Sequence, residues 1–184
     1  MISVRSLRLG VIGAAIALSG SLGACKPTYK QETIKESVRA MAEKETGLKV
    51  EVVEAGRTLG LRFRVPDLAG EISSGNEDLY RKMNSLFTIL VRVALSSDVP
   101  PHFIILDIID EERPLFRLMF TRYVDDVRRS MAETISYTDS QDRLIEEIVV
   151  GGRRVAFDPY EIDLVRLVMM SADAGGAVTL PPFI

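Results

Sequence analysis

Twice along the chain a helical pattern is followed by two strand patterns, and that order limits the fold more than any other feature. Residues 33–46 place Ile34, Val38, Met41 and Ala42 at helical spacing among lysines and glutamates, with Gly47 as the stop. Residues 48–54 then alternate, with Leu48, Val50 and Val52 against Lys49 and Glu51. Ala55-Gly56-Arg57 turns the chain, and Leu59, Leu61, Phe63 and Val65 alternate with Gly60, Arg62 and Arg64 as far as Pro66. Two period-2 runs joined by a short glycine-containing link predict a hairpin with one wet face. A loop is expected over 67–76. Residues 77–97 read as the next helix, started by Asn76 or Ser74 and acidic in its first turn. Leu79, Met83, Leu86, Leu90 and Val93 form its apolar stripe, widened by Phe87 and Ala94. Residues 102–109 and 115–122 supply a second pair of strands. The expected fold class is therefore α+β: two αββ units forming a four-stranded, mainly antiparallel sheet with helices packed on it, plus a helical C-terminal extension.

The second pair differs from the first. Ile104, Leu106 and Ile108 face one side, while Phe103, Ile105 and Ile109 face the other with Asp107 among them. Strands apolar on both faces are covered on both faces. The C-terminal third is the candidate cover. Residues 124–135 read as a short helix, and 139–149 as another, begun by Asp139 and stopped by Gly151. The alternative for the latter is a hairpin turning at Gly151-Gly152. Asp158-Pro159 starts a helix over 160–171 that is apolar nearly all round, hence buried in its own core or against a partner. The Gly- and Pro-bearing residues 173–184 read as a flexible tail.

The N-terminus carries a different message. Arg5 and Arg8 precede an apolar run over residues 9–18, followed by the small residues Ser19-Gly20-Ser21. That is the pattern of a secretory signal peptide, and the run is too short to span a bilayer, which takes about 20 residues. Leu22-Gly23-Ala24-Cys25 resembles the lipobox of bacterial lipoproteins. The resemblance implies cleavage after Ala24, a diacylglyceryl group on Cys25, and acyl chains such as palmitate on the new N-terminus. Cys25 is the single cysteine, so no internal disulfide competes for it. Two or more acyl chains give stable attachment, where one is marginal. The expected organisation is a leader over 1–24, a lipidated N-terminus and short tether over 25–32, one α+β domain over 33–172, and the tail. Lys26 lies where an aspartate retains enterobacterial lipoproteins in the inner membrane, which directs this chain to the outer membrane, facing the periplasm.

Composition narrows the partners. The leader holds two arginines and no acid, so the mature chain is more acidic than the whole chain's net charge of −3. With no basic stripe, nucleic acid is not an expected partner; the bilayer, through acylated Cys25, and another envelope protein are. No catalytic or metal motif occurs, and no cofactor is expected. The single histidine, His102, reads as a strand-edge residue. Asp107, Asp110, Glu111 and Glu112 could gather on a hard cation, but Arg113 sits among them and a solvated turn accounts for all except Asp107. An arginine, Arg122 or one on the neighbouring strand, is expected to pair with Asp107. On a helix, Asp125 and Asp126 would meet Arg128 and Arg129. Asp107, Arg122, Asp125 and Asp126 together make the candidate polar cluster. Three functions follow: a non-enzymatic accessory or adaptor near the membrane; a ligand-binding module with an apolar pocket lined by Phe103, Phe116 or Phe120; and a hydrolase of envelope polymers built on Asp107 and a second carboxylate.

Overall fold

Six strands lie in one sheet in the order in which the chain makes them, and all the longer helices sit on one of its faces. The structure is a computed structural model describing residues 27–156; the leader, the helix expected over 160–171 and the tail lie outside the described residues. A 3-10 turn over Gln31–Thr33 leads into α1 (Ile34–Thr46). The hairpin β1 (Glu51–Ala55) and β2 (Thr58–Val65) follows, then α2 (Leu68–Ser73) and α3 (Glu77–Leu95). The hairpin β3 (Phe103–Asp110) and β4 (Phe116–Tyr123) leads to α4 (Val124–Met131), α5 (Tyr137–Gln141) and the hairpin β5 (Ile145–Val150) and β6 (Arg153–Ala156).

The α+β class and both αββ units stand, but the sheet has six strands and is mixed, where four in mainly antiparallel order were expected. β2 and β3 pair in parallel, Arg62 opposite Asp107, and every other neighbour is antiparallel. The long helix is the reason. Nineteen residues of α3 carry the chain back about 28 Å. That return brings β3 to the end where β2 began, as a parallel crossover requires.

Three local readings change. The loop over 67–76 contains α2, whose cap is Asp67 accepting a hydrogen bond from the Gly70 N–H at 3.1 Å. The helix over 124–135 ends earlier, at Met131. The helix expected over 139–149 is a short α5 followed by β5. Ile145, Ile148, Val149 and Val150 suit a strand, and the free edge of β4 takes them in register, Leu118 opposite Ile148. Gly151 and Gly152, with φ of +58° and +82°, make the two-residue turn that was the alternative reading.

Alternation places the core. Leu59, Leu61 and Phe63 of β2 and Ile104, Leu106 and Ile108 of β3 turn toward Val38 of α1, Ile72 of α2 and Leu86 and Leu90 of α3. The other face carries Val53, Gly60, Arg62, Ile105, Asp107, Arg117, Met119 and Val149. The cover expected there is not found among the described residues, whose helices all lie on the opposite side.

Candidate functional site

Asp107 is 5% exposed in the middle of the sheet, and its partners come from both neighbouring strands. Arg62 of β2 donates from Nε to Oδ2 at 2.6 Å, and Arg117 of β4 donates from Nε to Oδ1 at 3.0 Å and from Nη2 to Oδ2. Arg62 also reaches Glu51 at 3.4 Å. The hydrogen bond to Asp107 outweighs burial and holds the Arg62 guanidinium above its ordinary value. An ion cluster thus ties three strands together, beneath a concavity of about 370 Å³ rimmed by Val53, Val149 and Arg154. Both carboxylate oxygens of Asp107 are taken by guanidinium donors.

Arg122 is not the partner of Asp107. It pairs in register with Ile104, on the helix-bearing face, whereas Asp107 points to the other. Its Nη2 donates to the Ser140 carbonyl at 3.2 Å and to the Ser140 hydroxyl, and Nη1 reaches Gln141 at 3.4 Å. Its buried Nε has no partner among the described residues. Desolvation lowers its pKa, against the pull of Tyr137 and Asp126. Asp126, 6% exposed on α4, meets Arg143 at 3.4 Å and Arg129 at 3.6 Å. So Arg122 and Asp126 share a polar nest under α4 and α5 that fastens the β4–β5 connection. Asp125 forms none of the ion pairs found among the described residues, and Asp107 lies on the opposite face. The candidate cluster is two separate groups.

The acids of the β3–β4 turn also divide. Asp110 is fully buried on the helix side, accepting from the Ala69 N–H at 3.2 Å and from the Arg113 N–H at 2.8 Å. Arg113 bridges Asp110 and Asp67, pinning α2 against the turn. Glu111 and Glu112 are exposed. Asp107 and Asp110 face opposite sides, so the four acids do not converge on one ion. The α2 clamp went unread in the sequence; its signal was Asp67 standing before an apolar pair, Leu68-Ala69. His102 is exposed and edge-on to the Tyr123 ring at 6.4 Å, as a strand-edge residue.

An apolar groove of about 330 Å³ lies between α3 and the β4–β5 side of the sheet. Met83, Phe87 and Tyr80 form the helical wall; Leu118, Phe120, Leu144 and Glu146 form the sheet wall. Its origin is geometric. Strands are spaced ~4.8 Å apart and helices are ~10 Å wide, so α1 and α3 together cover about four strands of the six. Residues 124–141 form only short helices at one end of β4 and β5. A volume of this size falls at the small end of ligand pockets, about 300–1,000 Å³. Burial raises the pKa of the Glu146 carboxyl in that wall. Of the three aromatics expected to line a pocket, Phe120 does; Phe116 is packed in the core, and Phe103 is exposed on the opposite face.

Cys25 and Ala24 lie outside the described residues. The residues that follow are held against the end of α3. The N–H groups of Thr28 and Tyr29 donate to the Ser96 carbonyl at 2.8 and 3.2 Å, and the Asp98 N–H donates to the Tyr29 carbonyl at 3.0 Å. The Tyr29 hydroxyl touches the Met41 sulfur at 3.3 Å. Among the described residues no helix is long and apolar enough to cross a membrane, and no group of three His, Cys, Asp or Glu side chains could hold a metal ion. No family model, curated protein or solved structure matches the chain, so the reading of its function rests on its own residues.

Proposed function

We propose that the protein is a lipid-anchored, non-enzymatic component of the bacterial cell envelope, attached through acylated Cys25 to the periplasmic face of the outer membrane. There it acts as an accessory or adaptor for another envelope protein. The observation that carries this reading is the clasp at Thr28 and Tyr29. Thr28 lies three positions beyond Cys25, and an extended chain gains at most ~3.6 Å per residue, so the anchor reaches about 11 Å from the domain. Such a short leash serves a protein that works at the bilayer surface. The occupied oxygens of Asp107 and the structural roles of Asp110 and Asp126 favour this reading over the hydrolase.

Substituting Cys25→Ser tests it. The wild-type protein is expected to pellet with membranes and to partition into detergent, and the variant to be soluble after lysis. Unchanged sedimentation of a processed Cys25→Ser protein overturns the reading.

The groove favours a second reading, in which the domain binds an apolar ligand between α3 and β4–β5. A fluorescent fatty-acid analogue is expected to bind the wild type saturably and to lose at least tenfold in affinity with Phe120→Arg. Equal affinity for the two proteins removes this reading.

A further inference from the structure

We propose that the end of the sheet bearing the clasp is a bilayer-contacting surface that seats in the headgroup zone through exposed aromatic and aliphatic side chains. This rests on the anchoring read above and adds an orientation to it. Strand register defines the end. Ala55 of β1 meets Thr58 of β2, Thr58 meets Phe103 of β3, Phe103 meets Tyr123 of β4, and Thr121 meets Ile145 of β5. The clasp closes here too. Ser96 and Asp98 stand in the link from α3 to β3, and Arg57 of the β1–β2 turn donates to the Pro100 carbonyl in that link at 2.6 Å.

Exposed apolar side chains concentrate at this end. Of the nine large ones among the described residues, Val99, Phe103, Tyr123, Met131, Tyr137 and Ile145 lie at these strand ends or in the connections joining them. Leu115, by contrast, opens the opposite end. The rings of Phe103 and Tyr123 stand 5.3 Å apart as one apolar block. Soluble surfaces scatter such residues singly, whereas a cluster marks a contact.

The leash decides what that contact is. With the anchor about 11 Å from Thr28 at most, and the polar zone of one leaflet about 5–8 Å deep, this end is held within a few ångströms of the headgroups, close enough for its exposed side chains to enter them. Tyrosine suits that zone, since its apolar ring enters while the hydroxyl stays wet, and the adjoining phenylalanine ring adds apolar area to bury. Charge does not drive the approach: Lys30, Arg57 and Arg128 stand among Glu54, Asp98 and Asp125. Seating should therefore need neither anionic lipid nor low salt, unlike a polybasic contact.

The chain has no tryptophan, so Phe103→Trp installs a single reporter at an exposed site, and Leu115→Trp a reference at the other end. The lipidated proteins are reconstituted in phosphatidylcholine vesicles with brominated acyl chains, which quench only nearby indoles. The expected result is several-fold stronger quenching and a bluer emission for Phe103→Trp than for Leu115→Trp, unchanged by high salt or added anionic lipid. Adding Tyr123→Ser and Tyr137→Ser to the Phe103→Trp protein should weaken the quenching. Equal, weak quenching in proteins that float with the vesicles overturns the seating and leaves the anchor intact. Quenching that depends on anionic lipid overturns it in favour of an electrostatic contact. Lipid-free protein at Cys25 that fails to float overturns the anchoring, and the seating with it.

Discussion

The two halves of the sheet are built from similar strands and finished differently. Under α1 and α3, the β1–β3 half is closed: Leu59, Leu61, Ile104 and Leu106 are each at most 1% exposed. Over β4 and β5 the same face stays partly open: Phe120, in the groove wall, and Val150 are only partly buried. Strand chemistry does not cause the contrast, since both halves offer alternating apolar residues. The supply of long helices does. Each of the first two hairpins is preceded by a helix of thirteen residues or more, while the third follows helices of eight and five.

Truncation should expose this difference most strongly. Leu61→Ala in the closed half is expected to cost about 3 kcal/mol in urea unfolding, and Phe120→Ala in the open half about 2 kcal/mol, because its side chain is only partly buried. Equal costs would mean that the groove is filled in solution. Asp107 stands at the seam, bonded to Arg62 in one half and Arg117 in the other. Asp107→Ala should cost about 2 kcal/mol, less than the 3–5 kcal/mol of a fully buried pair, because both stranded arginines reach water. Restoring the loss by adding Arg62→Met and Arg117→Met would show that the cost lies in orphaned charge. Gly152→Ala forces a side chain onto a left-handed backbone and should cost about 1 kcal/mol, loosening the third hairpin first, as amide exchange would report. The smallest effect is a gain. Burial raises the Glu146 pKa, so the folded state favours the protonated form: that contribution is complete below the unfolded pKa and is lost as pH rises through the folded one. Glu146→Gln should therefore stabilise by about 0.5 kcal/mol or less at pH 7, with the advantage gone once the wild-type carboxyl is protonated.

The elements most legible in the sequence were those long enough to repeat their period. The stripe of α3 and the alternation of β2 and β3 each run through several cycles, and their bounds were read to within one or two residues. At six residues α2 is too short to show a helical period. Residues 139–149 were ambiguous for a different reason. Leu144, Ile145 and Ile148 satisfy helical spacing, while the β-branched run to Val150 satisfies a strand; the open edge of β4 decided between them, and a partner strand is not a local property. The polar cluster failed on parity. Since β3 and β4 are antiparallel and Asp107 faces Met119, only odd-numbered residues of β4 share its face. That rule admits Arg117 and excludes Arg122, yet it needs the register, which neither strand specifies alone. Arg62 required more still, because its place beside Asp107 depends on the parallel crossover through α3.

That parallel seam has a kinetic consequence. Arg62 and Asp107 are 45 residues apart in the chain, whereas each hairpin closes a turn of only a few residues. Closing a long loop loses more entropy than closing a short one, with each doubling of length costing about 0.6 kcal/mol. The hairpins can therefore zip early and independently, and the β2–β3 join must await the docking of α3. Its formation is therefore expected to be the last and slowest of the strand pairings, a step that stopped-flow refolding of an Arg62→Met variant would probe.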